Sequence, residues 1–147
     1  MYEIYQSFGG SATTLPIDVH EICRRLNVKV LYDDKAKNWE GVATVFKGRP
    51  IVVLKAGLSP ERERYVLAHE IGHLMLGHVG AWETVADRPK LPHCVQEREA
   101  IAYGMELIMP QAVLCTADVD EIQQRCGVSR ATAVYRHSQF CKQRKEN

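Results

Sequence analysis

The stretch HEIGHLMLGH, His69 to His78, carries three of the chain's six histidines. His69 and His73 stand four apart. On a helix turning about 100° per residue they lie about 40° apart on one face, so both imidazoles can reach a single ion. Glu70 lies about 100° from His69. It is too far round to join the pair as a ligand, yet close enough to take a proton from water beside the ion. A zinc hydrolase uses this spacing: two neutral nitrogens fix the metal, and the carboxylate between them is the general base. His78 falls about 180° from His69 and 140° from His73, and it follows Gly77, a natural helix stop. The spacing therefore places His78 outside the ligand set, at a helix end near the negative dipole pole. The longer pattern HExxHxxGxxH would need a histidine where this chain has Val79.

A catalytic zinc takes a third protein ligand and keeps one position open. The downstream segment QEREAIAYGMELIMP offers Glu97, Glu99 and Glu106. Its apolar stripe runs through Ala100, Ile101, Gly104, Leu107 and Ile108, and Glu97 falls on it. Glu99 lies about 200° from Glu97, on an expected outward face with Tyr103 and Glu106. An acid on the inward face of a core helix is costly unless paired or metal-bound, which favours Glu97.

These side chains need rigid elements to hold them. SPERERYVLAHEIGHLMLG is the strongest helix signal: Ser59 as cap, Pro60 at the first position, Glu61 and Glu63 at the positive end, Gly77 as stop. Apolar residues on nearly every side of it predict a helix buried in the middle of the fold. Upstream, LPIDVHEICRRLNVKVLYDD reads as a helix, with Pro16 in its first turn, running into a strand. GVATVF and PIVVL read as a hairpin with Gly48 in the turn. Downstream, QEREAIAYGMELIMP is a second helix ending near Pro110. Two more helices, about Asp118–Cys126 and Arg130–Cys141, are joined by GVS. The expected fold is α+β: a small, mainly antiparallel sheet of about three strands packed on a zincin-like HExxH helix, with a helical C-terminal part. One domain is expected over residues 1–147, with a catalytic core at 1–110 and a helix-turn-helix-like pair at 111–147.

Composition narrows the class further. The chain has 147 residues, 46% hydrophobic and 25% charged, with a net charge of +1. That balance gives no general pull toward nucleic acid or a membrane surface. No apolar run approaches a membrane span, and the N-terminal stretch lacks the form of a secretory signal. Five widely spaced cysteines without a CxxC pair suit reduced thiols in a cytoplasmic protein. Cys94, three residues before Glu97, raises the idea of a thiolate that blocks the open metal position until oxidised.

A bare HExxH also arises by chance in buried helices. Here it comes with a well-capped helix, an inward acid on the next helix and a sheet upstream. With those residues placed, the chain resembles the ImmA/IrrE family of metallopeptidases. RERYVLAHEIGHLMLGH is similar to the family's hallmark RxxFTLAHELGHLLLH. EREAIAYGMELIMP is similar to its second hallmark, ExxANxFAxxLLMP, and VDEIQQRCGVSRATAVYRHSQF looks like its terminal helix pair. The resemblance implies His69, His73 and Glu97 as zinc ligands and Glu70 as general base. It also implies a cytoplasmic protein that cleaves a helix-turn-helix repressor at one site, in a phage, a mobile element or a stress operon. One departure stands out: Ile101 occupies the usual Asn/Asp position, where a polar group could hydrogen-bond a ligand histidine. Tyr65, His93 and Tyr103 are the candidates for stabilising the oxyanion.

Two other readings compete. The segment DEIQQRCGVSRATAVYRH has helix-turn-helix spacing, with Gly127 in the turn and Ser129 as cap. Nucleic acid is nevertheless not expected as a partner, because no extended basic face is apparent elsewhere. The third reading is a zinc-containing binding protein without turnover. Retention of Glu70 argues against it and Ile101 in its favour.

Overall fold

The computed structural model describes residues 15–82, 85 and 89–147. The reading of the N-terminus as lacking a secretory signal falls mainly on residues outside that set.

The first helix, α1 (Val19–Arg25), is capped by Asp18, whose carboxylate accepts the Glu21 N–H at 3.0 Å. Pro16 therefore precedes the helix instead of opening it. The Asp18 side chain satisfies a first-turn donor, which a proline two residues earlier cannot do. Val19, Ile22 and Cys23 are buried, and Asn27, at φ 57°, turns the chain into β1 (Lys29–Asp33).

Strands β2 (Gly41–Phe46) and β3 (Arg49–Lys55) form the expected antiparallel hairpin. Lys47 and Gly48 both have positive φ, 50° and 75°, as a two-residue turn matching the strand twist requires. β3 is central in the order β1-β3-β2, and its Val52 and Leu54 are fully buried. β1 joins the far side of β3 in parallel, from Lys29↔Ile51 to Asp33↔Lys55, so the sheet is mixed. Period-two alternation identifies strands but not their neighbours. Residues 34–40 are long enough to carry the chain past β3 before β2 begins.

Helix α2 (Pro60–Met75) lies between the sheet and the helical half. Ser59 caps it, accepting the Arg62 N–H at 3.2 Å. Its end is a Schellman motif: Gly77, at φ 71°, donates to Leu74 C=O at 3.2 Å, and His78 N–H donates to His73 C=O at 3.0 Å. Helix α3 (His93–Ile108) starts three residues before the expected Gln96. It crosses α2 closely through small residues. A Cβ on Gly104 would stand 2.9 Å from the His69 backbone nitrogen, and one on Gly72 would stand 2.9 Å from Ala100 C=O.

After the short α4 (Gln111–Leu114) come α5 (Val119–Cys126) and α6 (Arg130–Glu146). Asp118 and Glu121 form a reciprocal capping box on α5, and Ser129 caps α6. Ile122, Cys126, Val128, Ala133 and Phe140 seal this pair onto the core. No helix of the described residues is long and apolar enough to cross a membrane.

Candidate metal centre

Helix α2 presents His69 and His73 on one face, and α3 brings Glu97 opposite them. The three donor atoms lie within 4.8 Å of one another. His69 Nε2 is 3.2 Å from Glu97 Oε2, His73 Nε2 is 3.0 Å from Glu97 Oε1, and the two Nε2 atoms are 3.2 Å apart. Lone-pair atoms this close repel unless a proton or a cation lies among them. Zinc ligands at about 2.0–2.1 Å in a tetrahedral set stand about 3.3 Å apart, so the observed spacing fits such an ion. The protonation states fit as well. Burial lowers the His69 imidazole, and burial with the neighbouring His69 pushes His73 down to about 4. Both therefore offer neutral nitrogens, the form a metal ligand must take.

Glu70 is buried at 7% exposure and lines the same cleft. Burial and the charge of Glu97 raise its carboxyl to about 7, against the pull of the Ala43 backbone N–H that bonds it. Gly41 makes this fit possible, since a Cβ there would stand 2.5 Å from Val66 Cγ1 and 3.0 Å from Glu70 Cγ. The cleft has a volume of about 600 Å3. Its walls include Gly41, Val42 and Ala43 of the edge strand β2, and also Tyr65, His93 and Ile101.

The remaining sequence expectations divide. Tyr65 stacks on His69, rings 6.4 Å apart at 15°, under the Arg62 guanidinium. His93 is exposed, with Nε2 3.5 Å from Glu97 Oε1. Tyr103 is buried rather than outward-facing, does not line the cleft, and its phenol is pushed up to about 12 by burial. The apolar stripe of α3 is wider than periodicity suggests, because α2 covers one side and further core the other. Cys94 is exposed and also lies off the cleft wall.

His78 and Glu99 were both placed away from the site by helix-face arithmetic. The structure brings them together: His78 Nδ1 lies 3.0 Å from His73 Nδ1, and His78 Nε2 lies 3.2 Å from Glu99 Oε1. The angular extrapolation fails because the left-handed Gly77 ends the helix and returns the next residue over His73. The signal available in the sequence was the Gly-His pair just after the helix, since the residue following a C′ glycine packs back on the last turn.

At the C-terminal pair, Arg130 is engaged with Asp120 and Arg136 with Glu106. Two of the basic groups that a DNA-reading helix would use are thus held by acids.

No curated protein sequence matches the chain. Among solved structures, a Mycobacterium tuberculosis transcriptional regulator is similar in fold, with a TM-score of 0.59 at 17% identity. The match covers 91% of this chain but only 44% of that one, so this chain spans less than half of that regulator's length. A family profile matches residues 23–138, which take in the three strands, the HExxH helix and the facing Glu97. On that match the chain belongs to the IrrE N-terminal-like domain family of M78 peptidases.

Proposed function

We propose that the protein is a zinc-dependent metallopeptidase, with His69, His73 and Glu97 as ligands and Glu70 as general base. The observation that carries the reading is the meeting of three donor atoms with a buried carboxylate on one cleft wall. Bound there, zinc would supply Lewis acidity toward a peptide carbonyl and toward water. Glu70 would accept a proton from water and return it to the leaving amine, and a carboxyl raised toward neutrality suits both transfers. The β2 edge would align an extended substrate by strand addition. Tyr65 and His93, two of the cleft residues that carry a donor, would stabilise a developing oxyanion. Residues 1–110 and 111–147 would act as one domain, a reading supported by the family match running across both.

The substrate is a protein in this reading: a helix-turn-helix repressor cut at one site in the cytoplasm, with little action on casein or short peptides. Its dock would be the terminal helix pair or the 79–92 segment, of which residues 83, 84 and 86–88 lie outside the described set. The test is incubation of wild type and Glu70→Gln with zinc and the repressor encoded beside the protein, with fragments followed by mass spectrometry. Glu70→Gln is expected to keep zinc and partner binding while cleavage falls at least about a hundredfold. Equal cleavage by both proteins would overturn the assignment of the base. Tight binding by both without cleavage would favour a regulatory protein without turnover.

A further inference from the structure

We infer that His78 and Glu99 form a positioning relay behind His73, a Glu99–His78–His73 chain that orients the ligand ring and fixes its tautomer. The inference rests on the metal-centre reading above, and the geometry determines every proton in the chain. His73 Nε2 faces Glu97 and His69, so as a ligand it must present a lone pair there. The ring proton then sits on His73 Nδ1, which lies 3.0 Å from His78 Nδ1. Two ring nitrogens at that distance need one proton between them, so His73 donates and His78 accepts. The proton of His78 is thereby forced onto Nε2, which donates to Glu99 Oε1 at 3.2 Å. Each link fixes the next, and the chain ends on a carboxylate. A ligand histidine whose far N–H is held by a carboxylate, here through one intervening imidazole, is better oriented and more basic.

The backbone supports the same conclusion. The His78 N–H closes the α2 Schellman motif on the carbonyl of His73 itself, so two residues are joined through both main chain and rings. A hydrophobic contact commonly links these two positions of the motif. Here an imidazole pair replaces it, with the His78 side chain only 3% exposed. A buried imidazole at this position, rather than an aliphatic group, is explained by the donor it must accept and the carboxylate it must reach. Glu99 supplies that carboxylate from α3, the helix that also carries Glu97. Both ends of the His73 ring are therefore held by one neighbouring helix.

The test measures zinc affinity by competition with a chromophoric chelator for wild type, Glu99→Gln, His78→Phe and the double variant. Long-range proton–nitrogen NMR of the His78 ring in the zinc-loaded chain accompanies it. Each single variant is expected to weaken zinc by about 10- to 100-fold. The double variant should be no weaker than His78→Phe alone, because one relay is broken once. In the wild type the His78 proton should sit on Nε2, and in Glu99→Gln it should spread over both nitrogens. Wild-type affinity in a folded variant, multiplying effects in the double variant, or an unchanged tautomer would each overturn the relay while leaving the metal centre standing. A wild type that takes up no zinc at neutral pH would overturn both. If His78→Phe does not fold, the half-exposed Glu99 decides the matter through Glu99→Gln, checked for an unchanged melting temperature without metal.

Discussion

The two histidines of the HExxH helix sit one turn apart and face the same carboxylate, yet they are supported differently. His73 has a polar partner behind it, the His78 ring, whose far nitrogen meets Glu99. His69 has none among the described residues: its Nδ1 is buried without a hydrogen-bond partner. Its support is packing, with the Tyr65 ring stacked on it and the α3 backbone pressed against its own through Gly104. A motif that looks symmetric in sequence thus has one histidine held by hydrogen bonds and one held by shape. Leaving a donor unpaired inside a protein costs about 1–3 kcal/mol, so the His69 side is the less stable of the two.

The largest expected effect tests whether the difference stops at the ligands themselves. His69→Ala, His73→Ala and Glu97→Gln should each lose measurable zinc by elemental analysis, because three donors are the minimum for a catalytic site. Retention of zinc by His69→Ala alone would mean that the packed histidine is not a ligand. Next in size is Gly104→Ala, whose methyl would meet the His69 and Ala68 backbone at 2.9–3.1 Å. Overpacking of this kind should cost about 1–3 kcal/mol in denaturant unfolding and move Glu97 away from the histidines. An unchanged midpoint would show that α2 and α3 separate easily, and packing could not then be what holds His69. Smaller still, Ile101→Asn offers the cleft an amide and should tighten zinc by up to about tenfold. An unchanged affinity would confine the asymmetry to the His73 relay. The smallest effect belongs to Tyr65. Tyr65→Ala should weaken zinc only a few-fold, since a stacked pair contributes about 0.5–1.5 kcal/mol, and Tyr65→Phe should restore it.

The same contrast governs what could be read from the sequence. The His69 side was legible, because its features are periodic: two histidines four apart, Glu70 between them, and Glu97 on an apolar stripe. The caps at Ser59 and Ser129 and the Lys47-Gly48 hairpin were legible through local chemistry. The His73 relay was not, since its key residue lies beyond a left-handed glycine where helical angles no longer apply. Tyr103 was misplaced for a related reason, and the contact of Glu99 with His78 was not foreseen. A helix wheel ranks faces but does not say how wide the covered arc will be, and on α3 it extends to Tyr103 and Met105. The parallel placement of β1 was hidden because alternation carries no information about pairing partners. Asp18, not Pro16, opens α1 because a cap competes through a hydrogen bond that composition alone does not reveal.

The Schellman end of α2 has a consequence for timing. Terminal helical turns open far more often than the rest of a helix, and His73, two residues from the end of α2, would ordinarily share that breathing. Here the residue that closes the last turn also grips the ring of His73. With zinc in place, opening that turn and letting the ion go would become a single event. The lifetime of the loaded site would then follow the local opening rate of the helix end rather than bond breaking at any one ligand. The Gly77 and His78 amides, ordinary end-of-helix protons in the empty chain, would become the slow-exchanging reporters of a filled site.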